Sequence, residues 1–306
     1  MRLSTLVEGY WLERRRDVSP HTFDDYDRTF RRFQAFIGDP DFREIQAADV
    51  RRFLNHLADQ GLADKTLANV WIALSALWSW AERELGATHV IRNRVQRPRW
   101  RRPQIEPYSV EEVKALLAAC ELGAAWRTRT GRTARSRRPT MLRDRAILVT
   151  LVDTGVRAQE LCDLCVGDYD RASGRLHIRH GKGDKPRVVF VGDAGRRCIW
   201  RYLAERDGTT ADAPLFATAN GTHLSRDNLL GMIQTLAAQA GVEGATVHRF
   251  RHTFAVTFLR NGGSVLALQS LLGHEQMETI RIYAKLAAVD LHEAQRSASP
   301  ADNWRL

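Results

Sequence analysis

The chain has 306 residues, 27% charged and 44% hydrophobic, an ordinary globular composition long enough for one large or two modest cores. Its charge is less ordinary: 46 Lys and Arg against 36 Asp and Glu leave +10, with a pI near 9.9, and the excess of arginine favours a polyanionic partner such as nucleic acid over a merely solvated basic surface. No stretch approaches the length of an apolar membrane span, and Met1–Tyr10 lacks a basic start followed by an apolar run; no membrane association and a cytoplasmic protein are expected.

The first hundred residues read as helical. Leu3–Arg16 is the first helix, and Ser19 followed by Pro20 is an N-cap with proline at the first helical position, opening a helix to about Ile37. Phe23, Tyr26, Phe30, Phe33 and Ile37 recur along it at helical steps. A third helix covers Ala48–Asp59 and ends at Gly61. The fourth, Lys65–Leu85, carries Leu67, Val70, Trp71, Leu74, Leu77, Trp78 and Ala81 on one stripe, so it faces a core. Trp80 lies off that stripe and is the exception among the tryptophans.

Arg92–Arg102 holds six arginines and no acid, with Pro98 and Pro103 beside them. Proline breaks helix and the like charges repel, so residues 92–105 are expected to be a linker. It is either a solvated connection or a strand along phosphates, and the net charge favours the second. Ser109 and Glu112 form a capping box ahead of a helix over Val113–Cys120. Trp126–Arg138, with another six arginines, is too polar to pack and is expected to be a mobile loop. The domains expected are therefore 1–91, helical; 92–105, linker; and 106–306, a second domain.

In that second domain Leu142–Thr154 is an apolar helix ending at Gly155, with Arg157 opening another helical stretch. Arg175–Arg179 and Pro186–Val191 are β-branched or alternating around Gly181-Lys182-Gly183-Asp184-Lys185, a hairpin with Lys182 near its tip. Arg196–Arg206, Arg226–Ala240 and His248–Asn261 read as further helices. Cys162 and Cys165 form a C-x-x-C, but no second pair completes a zinc site, and neither metal nor redox chemistry is expected of them. His248 and His252 have the spacing of helical zinc ligands; Arg249 stands where a zinc hydrolase needs Glu, and Arg251 would repel a cation. No metal site is expected.

Chemistry-bearing residues concentrate near the C-terminus. Val247–Ala255 reads V-H-R-F-R-H-T-F-A, followed by L-L-G-H at Leu271–His274 and R-I-Y at Arg281–Tyr283. His248 and Arg251 share a helix face, with His252 one step round. Arginine offers a planar fork matched to phosphate oxygens, and tyrosine can attack phosphorus as a nucleophile.

These motifs, with T-G-V-R-A-Q-E-L at Thr154–Leu161 and G-K-G-D-K-P-R at Gly181–Arg187 upstream, resemble the tyrosine recombinase (phage integrase) family, in its simple two-domain, Xer-like form without an arm-binding domain. The resemblance implies a mainly α fold: an N-terminal SAM-like, core-binding helical bundle and a mixed α+β catalytic domain with a small antiparallel sheet. It implies that Arg157, Lys182, His248, Arg251 and His274 surround the nucleophile Tyr283, with Glu160 and His252 supporting them from behind. Arg157 and Arg251 would hold the scissile phosphate, and Lys182 would protonate the leaving 5′ oxygen. His248 is the candidate base and His274 a phosphate donor. Lys185, Arg187 and Arg249 are expected on DNA, as are Arg14, Arg31, Arg51, Lys65, Arg97, Arg99 and Arg101, without ranking.

The activity so implied is cleavage and rejoining of DNA through a 3′-phosphotyrosyl link and a Holliday junction, with no cofactor, metal or ATP. The implied partners are double-stranded DNA and a homo-tetramer on two sites, from a monomer or weak dimer in solution; an accessory protein remains open. Three other activities stay open on sequence: topoisomerase-like religation of the same strand, a silent DNA-binding protein, and, more distantly, a metallohydrolase.

Overall fold

The computed structural model describes residues 1–100, 106–121, 123, 126–127, 133–134, 136–179, 186–206, 209–273, 277–287, 299 and 301. Contacts divide the chain into two compact units, Met1–Pro103 and Gln104–Leu306. Among the described residues no helix is long and apolar enough to cross a membrane.

The first unit is a bundle of α1 (Leu3–Arg14), α2 (Pro20–Ile37), α3 (Ala47–Asp59) and α4 (Asp64–Leu85). α2 starts as its sequence dictates: the Ser19 hydroxyl accepts from the Thr22 amide and Pro20 occupies the first turn, where no amide is needed. α4 packs against the other three helices, burying Leu67, Val70, Leu74, Leu77 and Trp78 against Phe30, Phe33 and Phe53. Trp80, off the expected stripe, is also core: it is 8% exposed, lies against α1 beside Gly9, and donates its indole N–H to Glu13 Oε2 at 2.7 Å. α4 therefore buries two faces, because α1 covers the side its main stripe leaves open. The expected linker begins inside this core: Ile91 and Val95 are buried, and Trp71 donates to the Val95 carbonyl at 3.0 Å.

The second unit contains α5 (Val110–Ala119), β1 (Trp126–Arg127), β2 (Thr133–Ala134), α6 (Met141–Thr154), α7 (Ala158–Asp163), β3 (Arg175–Ile178), β4 (Arg187–Phe190), α8 (Asp193–Ala204), α9 (Arg226–Ala240), α10 (Val247–Arg260), α11 (Val265–Leu272) and α12 (Met277–Ala287). The capping box at α5 is formed, with Glu112 accepting from the Ser109 amide and Ser109 from that of Glu112. α6 is the spine, with α8 on one side and α10 on the other, while α5 packs on α9. β3 and β4 pair antiparallel, Leu176 opposite Val189 and Ile178 opposite Arg187.

Two differences from the sequence expectation concern backbone pairing and helix length. Trp126–Arg138, expected to be a loop, contains the antiparallel pair β1–β2 with Trp126 opposite Ala134; a ladder needs only backbone groups, so polar sequence does not forbid it. α11 and α12, of 8 and 11 residues, lie where the sequence shows the L-L-G-H and R-I-Y motifs and no helix is expected. They close a second small core with α10, built from Phe254, Leu259, Leu268, Leu272 and Tyr283.

Trp80 and Trp200, an exposed tryptophan on α8, predict opposite outcomes in denaturant. Trp80→Ala should cost about 3–5 kcal/mol. Trp200→Ala, on a ring 62% exposed, should change the unfolding free energy by no more than about 0.5 kcal/mol.

Candidate active site

The site is built around the C-terminal end of α11. The last carbonyls of a helix lack intrahelical partners and carry its negative dipole end, so they attract cations. Three successive carbonyls here each take a different arginine. Arg187 Nε donates to Leu271 O at 2.8 Å, Arg251 to Leu272 O at 2.7 Å, and Arg157 to Gly273 O at 3.4 Å. Arg251 also donates to Gly155 O at 2.7 Å, at the end of α6. Gly155 is left-handed (φ 58°), and a Cβ there would lie 2.5 Å from Phe254, so the turn that admits Arg251 requires glycine.

One carboxylate ties this cluster together. Glu160, whose side chain is 4% exposed, accepts from the Arg157 amide (2.7 Å) and from the Arg157 guanidinium (2.6 Å). It also accepts both terminal nitrogens of Arg187, at 2.8 and 2.7 Å. Burial alone would raise its pKa; the bidentate Arg187 and then Arg157 outweigh burial and bring it to about 2. Arg251 is 1% exposed, and burial, with Arg157 close by, lowers it to about 10, still charged at neutral pH.

The α10 face bearing His248, Arg251 and His252 meets α12. Tyr283 is 1% exposed, and its hydroxyl lies 2.8 Å from His252 Nδ1. The His248 ring abuts that of His252 edge-on, centroids 4.4 Å apart. Burial, then His248 and Arg251, lower His252 to about 4; burial raises Tyr283 against the opposing pull of Arg251 and Arg157. The histidine touching the phenol is thus His252, placed behind the site by sequence, whereas His248 was the expected base.

The structure brings together Arg157, Glu160, His248, Arg251, His252 and Tyr283. Lys182, Lys185, Arg101 and His274 lie outside the described residues. Two expected DNA contacts serve the interior. Arg187 is 9% exposed and its donors are directed to Glu160 and Leu271. Arg249 pairs with both oxygens of Glu112 at 2.8 Å, donates to Glu243 O and Glu106 O, and lies over Tyr108, fastening the start of α10 to α5. The alternation of β4 held a signal for Arg187, which shares a face with inward-pointing Val189. Of the other expected contacts, Arg97 and Arg99 are exposed and Lys65 lies 5.3 Å over the Trp100 ring. Arg14 and Arg31 pair with Asp17 and Asp27 on the surface, and Arg51 donates to Ala47 O.

Comparison with known proteins agrees with this architecture. Residues 109–289 match the phage integrase family, and residues 7–85 match the phage integrase N-terminal SAM-like domain. The tyrosine recombinase XerC of Pelobacter propionicus is 32% identical over 297 residues, covering 94% of this chain and 92% of that protein. XerA of Thermococcus kodakarensis is 31% identical over 285 residues, covering 92% and 90%. Among solved structures, the Tn1549 transposon integrase (residues 82–397) in complex with circular intermediate DNA superposes with a TM-score of 0.74 at 18% identity, covering 97% of this chain and 99% of that one. The chain belongs to the phage integrase family and is a tyrosine-type site-specific DNA recombinase.

The Glu160 cluster makes a stability prediction. Glu160→Gln leaves two guanidiniums without their shared anion and should cost about 3–5 kcal/mol in urea unfolding. Acid should destabilise the wild type through His252 as well. Its folded value of about 4 lies below the ordinary 6.5, so the unfolded chain takes the proton first and stability declines as pH falls from 6.5 towards 4. His252→Gln should flatten that part of the curve.

Proposed function

We propose that Tyr283 attacks a DNA phosphodiester held by Arg157 and Arg251, forming a 3′-phosphotyrosyl link and releasing a 5′ hydroxyl. The observation that carries this reading is the packing of Tyr283, on α12, in one core with Leu272 at the end of α11, whose carbonyl takes Arg251. Charge that builds on the non-bridging oxygens in the transition state is stabilised by fixed guanidiniums, which removes the need for a metal to supply it. The leaving 5′ oxygen takes its proton from Lys182, His274 donates to the phosphate, and His248 accepts the phenol proton at the moment of attack. Attack of a second strand's 5′ hydroxyl on the phosphotyrosyl link then forms the new phosphodiester and restores the tyrosine, so bond energy is conserved without ATP.

DNA as the substrate fits the +10 net charge and the family to which the chain belongs. The surface arginines Arg97 and Arg99, together with Lys65, serve as phosphate contacts. Exchange between two duplexes by four protomers through a Holliday junction, from a monomer or weak dimer in solution, completes the proposal. Residues 1–91 grip the duplex and residues 106–306 carry the chemistry.

Purified protein incubated with duplexes tiled from the DNA flanking its own gene tests this reading. Strand exchange that continues in excess chelator is expected. Arg157→Ala and Arg251→Ala should each slow cleavage roughly a hundredfold or more. Cleavage that requires a divalent metal would overturn the proposal, and relaxation of supercoiled plasmid without exchange would move the chain to same-strand religation.

A further inference from the structure

We infer that His252 is a positioning residue: it holds the hydroxyl of Tyr283 in a buried resting place, from which DNA must draw the tyrosine before it can attack. The inference rests on Tyr283 being the nucleophile and concerns the regulation of that site.

Three observations carry it. The Tyr283 side chain is 1% exposed and packed among Phe254, Leu259, Leu268 and Leu272, so in this arrangement no phosphodiester can approach its oxygen. The oxygen meets a partner inside the protein, His252 Nδ1 at 2.8 Å. That partner comes from α10, one residue beyond Arg251, so phosphate bound at Arg251 would arrive beside the resting pair.

The pair is suited to holding and not to proton transfer. A phenol O–H is the stronger donor and an imidazole nitrogen the stronger acceptor, so Tyr283 donates and the His252 proton sits on Nε2. The phenol is raised above its ordinary 10 and the imidazole lowered to about 4. At rest the proton therefore stays on oxygen. The hydrogen bond keeps the nucleophile neutral and inert. Removing the acceptor while keeping the volume leaves a buried hydroxyl unpaired, which should shift the population towards an outward tyrosine roughly five- to a hundredfold.

DNA-free protein gives the direct test. Acetylation by N-acetylimidazole, followed residue by residue with mass spectrometry, should find Tyr283 protected relative to half-buried Tyr26 in the wild type. His252→Leu should raise the Tyr283 rate at least about fivefold, and His252→Gln, which retains an acceptor, should raise it less. An unchanged rate in His252→Leu overturns the inference. If the leucine variant does not fold, nitrogen NMR of histidine-labelled wild type decides: a bare Nδ1 at His252 supports the resting pair, and a protonated Nδ1 overturns it. On a nicked duplex that yields wild-type adduct, His252→Leu should react at least as fast as wild type, and a hundredfold loss would overturn the resting role by placing His252 in the chemical step. Absence of any wild-type adduct on nicked duplexes tiled from the DNA flanking the gene would instead count against Tyr283 as the nucleophile, leaving the acetylation result to stand by itself.

Discussion

Buried guanidiniums must find acceptors, and the second unit depends on how it supplies them. The end of a short helix offers three consecutive carbonyls, and one carboxylate offers two oxygens, to arginines drawn from the α6–α7 turn, β4 and α10. Neither source suffices alone. Helix-end carbonyls without an anion would leave like charges crowded together, and Glu160 alone has two oxygens for three guanidiniums. Together they fix Arg157 and Arg251 at one place while leaving Arg157 28% exposed.

The arginines that sequence assigns to DNA fall into two populations. Arg187 and Arg249 are held by carboxylates and carbonyls, and at Arg187 a lysine could not reproduce the bidentate geometry. Arg97 and Arg99 are exposed. Net charge, counted over the chain, cannot separate the two.

Much of this was legible in sequence where local rules govern. Ser19-Pro20 and the Ser109–Glu112 box fix helix starts through contacts within one turn, and Gly155 marks the end of α6. The candidate site residues on α10 were named from helical spacing and family resemblance. What could not be read depends on tertiary partners. Trp80 looks solvent-facing on α4 until α1 covers it. Arg187 and Arg249 look like surface cations until Glu160 and Glu112 are placed. The carbonyls of Leu271, Leu272 and Gly273 leave no side-chain signature, and which imidazole meets Tyr283 depends on how α12 docks on α10.

The central claim is that the buried phenol of Tyr283 becomes covalently joined to DNA. Nicked duplexes from the DNA flanking the gene, reacted with wild type and Tyr283→Phe, then denatured, digested with protease and mapped by mass spectrometry, test it most directly. A nucleotide attached to the peptide containing Tyr283 is expected in the wild type, and DNA binding without an adduct in the variant. An adduct that persists in Tyr283→Phe, or one that maps to another residue, would contradict it.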